Sequence, residues 1–240
     1  MLPPSGSIVV LTGAGISAES GLATFRGAGG LWDGHRVEDV ATPEAFARDP
    51  ALVHRFYNLR RRQLHDPAIK PNPAHLALAR LENDWPGDVL VVTQNIDDLH
   101  ERAGSRNVLH MHGEIRRVRC VACGEERLWL GDLGSETPCP ACGATASLRP
   151  AIVWFGEMPL EMDRIMTALA SCDLFVAVGT SGHVYPAAGF VELVRDVGRA
   201  HTIEVNIEAS AMRSAFAECR EGPAGTVLPA LVEELLAAAR

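Results

Sequence analysis

Four of the six cysteines, Cys120, Cys123, Cys139 and Cys142, form two C-x-x-C pairs separated by 15 residues. Each pair can offer two thiolates to one tetrahedral ion, and Gly124, Pro138, Pro140 and Gly143 supply turns around them. This is zinc-ribbon spacing. Four sulfur ligands leave no open position for water, so the ion expected is structural. Two reducible disulfides are the alternative, disfavoured where thiols stay reduced. Cys172 and Cys219 lie in apolar sequence and are expected only to pack.

A second string able to do chemistry is Gly13-Ala14-Gly15-Ile16-Ser17-Ala18, a G-x-G-x-x-A pattern directly after the apolar run Ile8-Val9-Val10-Leu11. Glycines there let the backbone approach a pyrophosphate, whose charge the exposed N–H groups and a helix dipole can hold. A tight turn without ligand satisfies the same pattern. An ordinary dinucleotide site would also place an acid at the end of a second strand, ~20 residues on. Here that stretch is Ala28-Gly29-Gly30-Leu31-Trp32-Asp33, a loop, which counts against a standard dehydrogenase. The ribose contact falls instead to Asn206, at the end of a late strand.

Tyr57 and Arg60 stand at i and i+3 in a helix-like stretch from Ala51 to Leu64, so their side chains emerge on one face. A guanidinium fork beside a phenol is a clamp for a carboxylate. Arg60-Arg61-Arg62 also reads as a charge run on a solvated face. Of nine histidines, His110 and His112 sit two positions apart and are expected to share a strand face. Glu19 and Ser20 could cap the following helix. Asn95 and Asp97 alone could be a strand-end turn.

The elements that must position these residues follow from the apolar runs. Ile8-Val9-Val10-Leu11, Val89-Leu90-Val91-Val92, Leu174-Phe175-Val176-Ala177-Val178 and Thr202-Ile203-Glu204-Val205 have the character of strands buried on both faces. Helix-like stretches run from Pro73 to Leu81, Leu160 to Leu169, Tyr185 to Val197 and Val227 to Leu236. The alternation predicts an α/β fold: a Rossmann-like, doubly wound parallel sheet with ligands at the carboxyl ends of its strands. Those ends read Thr12-Gly13, Thr93-Gln94-Asn95, Gly179-Thr180-Ser181 and Asn206. Two stretches break the rhythm, a helical insert over about 27–72 and a zinc-ribbon insert over about 113–149. Together they predict a smaller lobe on one single domain spanning 1–240, whose larger lobe takes about 1–26, 73–112 and 150–240.

Composition narrows the partners. The chain of 240 residues carries 22 basic and 30 acidic groups, net −8, so capture of nucleic acid or anionic membrane over the whole surface is not expected. With 47% hydrophobic and 22% charged residues it is neither disordered nor collagen-like. No run approaches ~18 apolar residues, so no bilayer span is expected. Met1-Leu2-Pro3-Pro4-Ser5-Gly6 lacks the basic start and apolar stretch of a signal peptide, which makes the cytosol the default address.

The longer string Gly13 to Gly21, followed by Thr24-Phe25-Arg26-Gly27, is far more specific than its glycines. With it come Thr93-Gln94-Asn95-Ile96-Asp97, His112-Gly113, the paired cysteines, Val153-Trp154-Phe155-Gly156-Glu157, Gly179-Thr180-Ser181 and Asn206. This ordered set resembles the sirtuins, NAD-dependent protein lysine deacylases, over nearly the whole chain. The compact class III type, which favours acidic acyl groups, is the nearest in pattern. The resemblance implies that Gly13, Ala14, Gly15, Ala18, Glu19, Thr24, Phe25, Arg26 and Trp32 wrap NAD. It implies a nicotinamide pocket of Gln94, Asn95, Ile96 and Asp97. The adenosine side would fall to Gly179, Thr180, Ser181, Asn206, Ile207, Glu208 and Ala224. Val153, Trp154, Phe155 and Gly156 would receive the substrate peptide as an added strand.

The same resemblance makes His112 the general base, preferred over His110 because the family motif ends in His-Gly, with Asn95 and Asp97 holding the nicotinamide carboxamide. Tyr57 and Arg60 occupy the place where class III members hold the distal carboxylate of succinyl- or malonyl-lysine. The implied reaction removes succinyl, malonyl and also acetyl groups, giving nicotinamide, O-acyl-ADP-ribose and free lysine. NAD would be consumed as co-substrate beside one structural zinc. Partners would be acylated lysines of proteins, and family habit implies a monomer. Two alternatives stand: mono-ADP-ribosyl transfer from the same site, and a zinc-ribbon interaction module on an NAD-sensing scaffold.

Overall fold

A computed structural model describes residues 3–24 and 34–239. Six strands form the larger sheet: β1 (Ile8–Thr12), β2 (Val89–Thr93), β3 (Val108–His110), β7 (Leu174–Val178), β8 (His201–Asn206) and β9 (Glu218–Glu221). Their order is β3-β2-β1-β7-β8-β9, and every neighbouring pair is parallel. The chain builds outward from β1 in one direction and then, from β7, in the other. The strand order therefore reverses between β1 and β7, which opens a crevice beyond their carboxyl ends. Register is flush there: Thr12 lies opposite Thr93 on one side and Val178 on the other.

Strands β1, β2 and β7 are buried at every position, as their unbroken apolar runs predict. One face packs on helices α4 (Pro73–Asp84) and α8 (Ala224–Ala238) through Leu78, Leu81, Leu228 and Val232. The other packs on α6 (Met162–Ser171) and α7 (Phe190–Val197) through Ile165, Leu169, Phe190 and Val194. Helix α7 begins later than the expected Tyr185, because a 3₁₀ turn at Ala187–Gly189 precedes it. The G-x-G turn opens into a 3₁₀ helix, Ala14–Ser20, in place of an α-helix. Among the described residues no helix is long and apolar enough to cross a membrane.

The smaller lobe joins both excursions. Helices α1 (Val37–Val40), α2 (Pro43–Arg48) and α3 (Pro50–Gln63) pack through Val53, Phe56 and Tyr57 on Ile115 and Ile152, residues of β4 (Gly113–Cys120) and β6 (Leu148–Ile152). A short strand β5 (Glu126–Leu128) completes an antiparallel sheet in the order β5-β4-β6. The three consecutive arginines of α3 do three different things. Arg60 lines the central cavity. Arg61 is 1% exposed and donates to the Ile115 and Gly131 carbonyls and to Asn58 Oδ1. Arg62 forks onto Asp132. The run is thus no uniform solvated face, and two of its members tie α3 to the cysteine-bearing loops.

Candidate active site

Three glycines meet at the reversal point. A Cβ on Gly13 or Gly15 would stand 2.8 or 2.6 Å from Gly179 backbone atoms, and one on Gly179 would stand 2.5 Å from the Ile16 nitrogen. The turn after β1 and the turn after β7 therefore touch backbone to backbone, a contact only glycine permits. Gly13 N–H donates to the Val178 carbonyl and Gly15 N–H to that of Gly179, both at 3.0 Å. This cradle borders a cavity of about 650 Å³.

Gly13, Ala14, Gly15, Ala18 and Thr24 line the cavity from the first turn. Gly179, Thr180, Ser181, Asn206, Ile207 and Glu208 line it from β7 and β8, and Ala224 from the start of α8. Asn206 donates to the Thr180 carbonyl at 2.8 Å, so its side chain clips two strand ends together. Gln94, Asn95, Ile96 and Asp97 enter from the segment after β2, with His112 beside them. The helical insert contributes Tyr57 and Arg60, and the segment after Ile152 contributes Val153, Trp154, Phe155 and Gly156, to the same space. Glu19 departs from the expectation: it accepts the Gly225 amide at 2.7 Å and caps α8, not the helix that follows it in sequence. Phe25, Arg26 and Trp32 lie outside the described residues.

A hydrogen-bond chain that sequence patterns did not reveal organises Asn95 and Asp97. Asn95 Nδ2 donates to the Gly13 carbonyl at 3.2 Å and to Ser17 Oγ at 3.1 Å. Ser17 in turn donates to Asp97 Oδ2 at 3.1 Å, while Asp97 Oδ1 accepts the Leu99 amide at 3.1 Å. His75 stands behind Ser17, with Nε2 at 3.4 Å, and accepts the Asn72 amide at Nδ1. That tautomer leaves Nε2 as donor to Ser17. Burial pulls His75 down to about 4, so it stays neutral. Burial also raises Asp97 to about 6, against the Leu99 and Ser17 hydrogen bonds that favour its ionised form. The signal for Ser17 was present inside the glycine-rich string, but nothing in its spacing distinguishes a relay hydroxyl from a turn serine.

His112 does not share a strand face with His110. Strand β3 ends at His110, and His112 sits in the turn into β4. Gly113, at φ +78°, makes that turn; a Cβ there would lie 2.1 Å from the Ala151 carbonyl oxygen. His112 Nδ1 faces the Gln94 carbonyl at 3.1 Å. A carbonyl only accepts, so Nδ1 carries the proton and Nε2 keeps a lone pair. Burial holds the ring's basicity below that of free histidine, opposed by the Gln94 hydrogen bond.

On the small-lobe side Tyr57 is fully buried and its hydroxyl accepts from Trp154 Nε1 at 3.0 Å. Burial raises its phenol pKa, which keeps it a protonated donor. Arg60 lays its guanidinium 3.3 Å over the Phe56 ring and donates to the Phe56 carbonyl. Trp154 lies under the Arg149 guanidinium at 3.4 Å, and Glu157 forks Arg149 while accepting the Trp154 amide. Val153 and Phe155 amides also have internal partners, the His112 and Ala41 carbonyls. An added peptide strand along Val153–Gly156 would therefore rely on carbonyls, because three of the four amides are already engaged.

The four cysteines converge at the far end of β4. Their sulfurs all lie within 4.8 Å of one another, with Cys120–Cys142 and Cys123–Cys139 at 3.8 Å. A tetrahedron built on ~2.3 Å zinc–sulfur bonds has edges of about 3.8 Å. None is in a disulfide. Both knuckles close alike, Gly124 N–H on the Cys120 carbonyl and Gly143 N–H on that of Cys139. The donor set fits a zinc ion in a closed site, which would knit the ribbon and take no part in the chemistry. Cys172 is buried as expected, whereas Cys219 lies part-exposed beside the Arg213 carbonyl, not in an apolar setting.

Comparison with known proteins agrees with this geometry. The model of the Sir2 family matches residues 13–186, more than half of the chain. A protein of Escherichia coli K12 named NAD-dependent protein deacylase is 60% identical over 95% of this chain and 82% of its own. One of the same name from Bdellovibrio bacteriovorus is 58% identical over 96% and 97%. The crystal structure of a Sir2 homologue–NAD complex superposes with a TM-score of 0.88 at 40% identity, covering 98% of this chain and 91% of that one. With its glycine cradle, histidine tautomer and cysteine tetrad in place, the chain belongs to the Sir2 family, the NAD-dependent deacylases that its motifs resemble.

Proposed function

We propose that this cavity removes acyl groups from lysine side chains of proteins, acidic succinyl and malonyl groups as well as acetyl, at the expense of NAD. The products are free lysine, nicotinamide and O-acyl-ADP-ribose. The observation that carries the reading is convergence: the glycine cradle, His112, and the Tyr57–Arg60 pair all open on one cavity.

The NAD supplies a cleavable bond between its ribose and nicotinamide. Gly13, Gly15 and Gly179 would lie against its phosphates, with Asn206 to Glu208 toward the adenosine. Asn95 and Asp97, fixed by Ser17, would hold the nicotinamide carboxamide. His112 Nε2, with its proton on the other nitrogen, would accept a hydroxyl proton as general base. At the acyl end the Tyr57 phenol, which receives Trp154, and the Arg60 guanidinium would face the distal carboxylate. The domain division that goes with this reading puts nucleotide contacts on the lobe of about 1–26, 73–112 and 150–240. The acyl clamp then sits on the helical insert.

Arg60→Met tests the acyl preference. A lost charge-assisted pair is worth about 1.5–3 kcal/mol, so desuccinylation should fall at least ~10–100-fold while deacetylation is largely spared. Equal loss of both activities would dismiss the clamp. Mass analysis of the same reactions separates deacylation, which leaves free lysine, from ADP-ribosyl transfer, which leaves a modified protein.

A further inference from the structure

His110 has no part in that chemistry, yet both of its ring nitrogens are engaged. Its side chain is 10% exposed, and both nitrogens face acceptors. Nδ1 lies 3.1 Å from the Asn95 carbonyl oxygen and Nε2 lies 2.8 Å from Glu101 Oε1. A carbonyl and a carboxylate both accept, so with Glu101 ionised each nitrogen must carry a proton and the ring is an imidazolium. His110 therefore has no lone pair to offer as a base. What it grips is the backbone of Asn95, the residue whose side chain reaches Gly13 and Ser17.

We propose that the His110–Glu101 pair is a charged positioning latch, holding the Gln94–Asp97 segment in the geometry that presents Asn95 and Asp97 to the nicotinamide end, and releasing it when His110 loses its proton. The latch rests on the placement of NAD proposed above. Glu101 comes from α5 (Leu99–Ala103), docked against the segment. Facing His110 are Glu101 and His100 of that helix, Asp97 of the segment itself and Glu114 of β4. Asp98, next in the chain, is occupied by Arg116 at 2.5 Å and Arg102 at 3.8 Å. His112, two residues on, and His100 are held toward their neutral forms by burial, so the carboxylates dominate. Burial opposes the imidazolium, but the Glu101 hydrogen bond and charge outweigh it and raise the ring's pKa above that of free histidine. A raised value means that the latch persists to higher pH than a free imidazolium would and is lost as pH rises through it.

The test compares wild type with Glu101→Gln, which keeps an acceptor at nearly the same place and removes only the counter-charge. NAD affinity by calorimetry and peptide-dependent nicotinamide release would be followed from about pH 6 to 9.5. The expected result is near-normal behaviour at the acid end, with the alkaline fall in NAD affinity moved down by about one pH unit. His110→Gln has no proton to lose; its affinity should be roughly tenfold weaker and flat across the alkaline range. An alkaline limb unmoved in Glu101→Gln, or a uniform drop at every pH, would overturn the latch. Should Glu101→Gln fail to fold, a His110→Gln profile that still falls as wild type does would overturn it equally. Absence of turnover in wild type would count against the deacylase reading, while the affinity profiles would still decide the latch.

Discussion

Asp97 is buried and His112 half-buried, so the charged form of each is disfavoured, and the proposed reaction would use Asp97 ionised and His112 neutral. Asp97 is raised to about 6 and His112 is lowered below 6.5. Protonation of Asp97 should therefore lower activity as pH falls through about 6, and protonation of His112, from a value lowered by burial, adds to that acid limb. The same shift has a stability consequence. A carboxyl raised on folding stabilises most below its unfolded value, and that contribution is lost as pH rises through the folded one. Asp97→Asn should then raise the thermal midpoint at pH 8 while cutting kcat ~10²-fold, as melting and steady-state rates would show. A variant destabilised at pH 8 would contradict the burial argument. His112→Tyr should abolish deacylation without unfolding the protein, and retained turnover would dismiss His112 as base.

Elements were legible in the sequence to the extent that they are buried on both faces. Strands β1, β2 and β7 stand where their apolar runs predict, because only a sheet covered on both sides asks for apolar residues at every position. Edge strands β3 and β9 are short and partly exposed, so Val108-Leu109-His110 and Glu218-Cys219-Arg220-Glu221 carry no such run. The shared face expected for His110 and His112 follows from this: with no apolar run to mark the end of β3, the sequence reads as one strand through His112. Glu19 was obscured differently, since its partner Gly225 lies 206 residues away and no local pattern encodes it. Gly179 is the element-scale residue whose replacement should matter most. At φ +63° an alanine there costs about 1–2 kcal/mol in backbone strain alone, and its Cβ would press on the turn after β1. Gly179→Ala should weaken NAD affinity more than tenfold by calorimetry; unchanged affinity would contradict the backbone contact. Chelation of zinc should loosen β4–β6 first and reach the chemistry indirectly, through α3, which hangs on that lobe by Arg61 and Asn58, and through the strand ends beside His112 and Val153. A metal-free preparation of full stability and activity would refute the structural assignment.

At the scale of the whole molecule, the chain places two demands on opposite walls of one space. The reversal of strand order between β1 and β7 gives the larger lobe a glycine cradle at its carboxyl edge. The inserts, which interrupt the strand–helix rhythm in the sequence, return the acyl-facing residues across that edge. His112 sits at the seam because Gly113 turns the chain from one sheet into the other. Such an arrangement serves a reaction that joins fragments of two substrates. On the proposed reading, NAD is cleaved and its ADP-ribose leaves carrying the acyl group. The direct test is mass spectrometry of a succinyl-lysine peptide incubated with NAD and the protein. Equal amounts of nicotinamide, unmodified peptide and O-succinyl-ADP-ribose are the predicted result; intact NAD, its reduced form, or ADP-ribose attached to protein would contradict it.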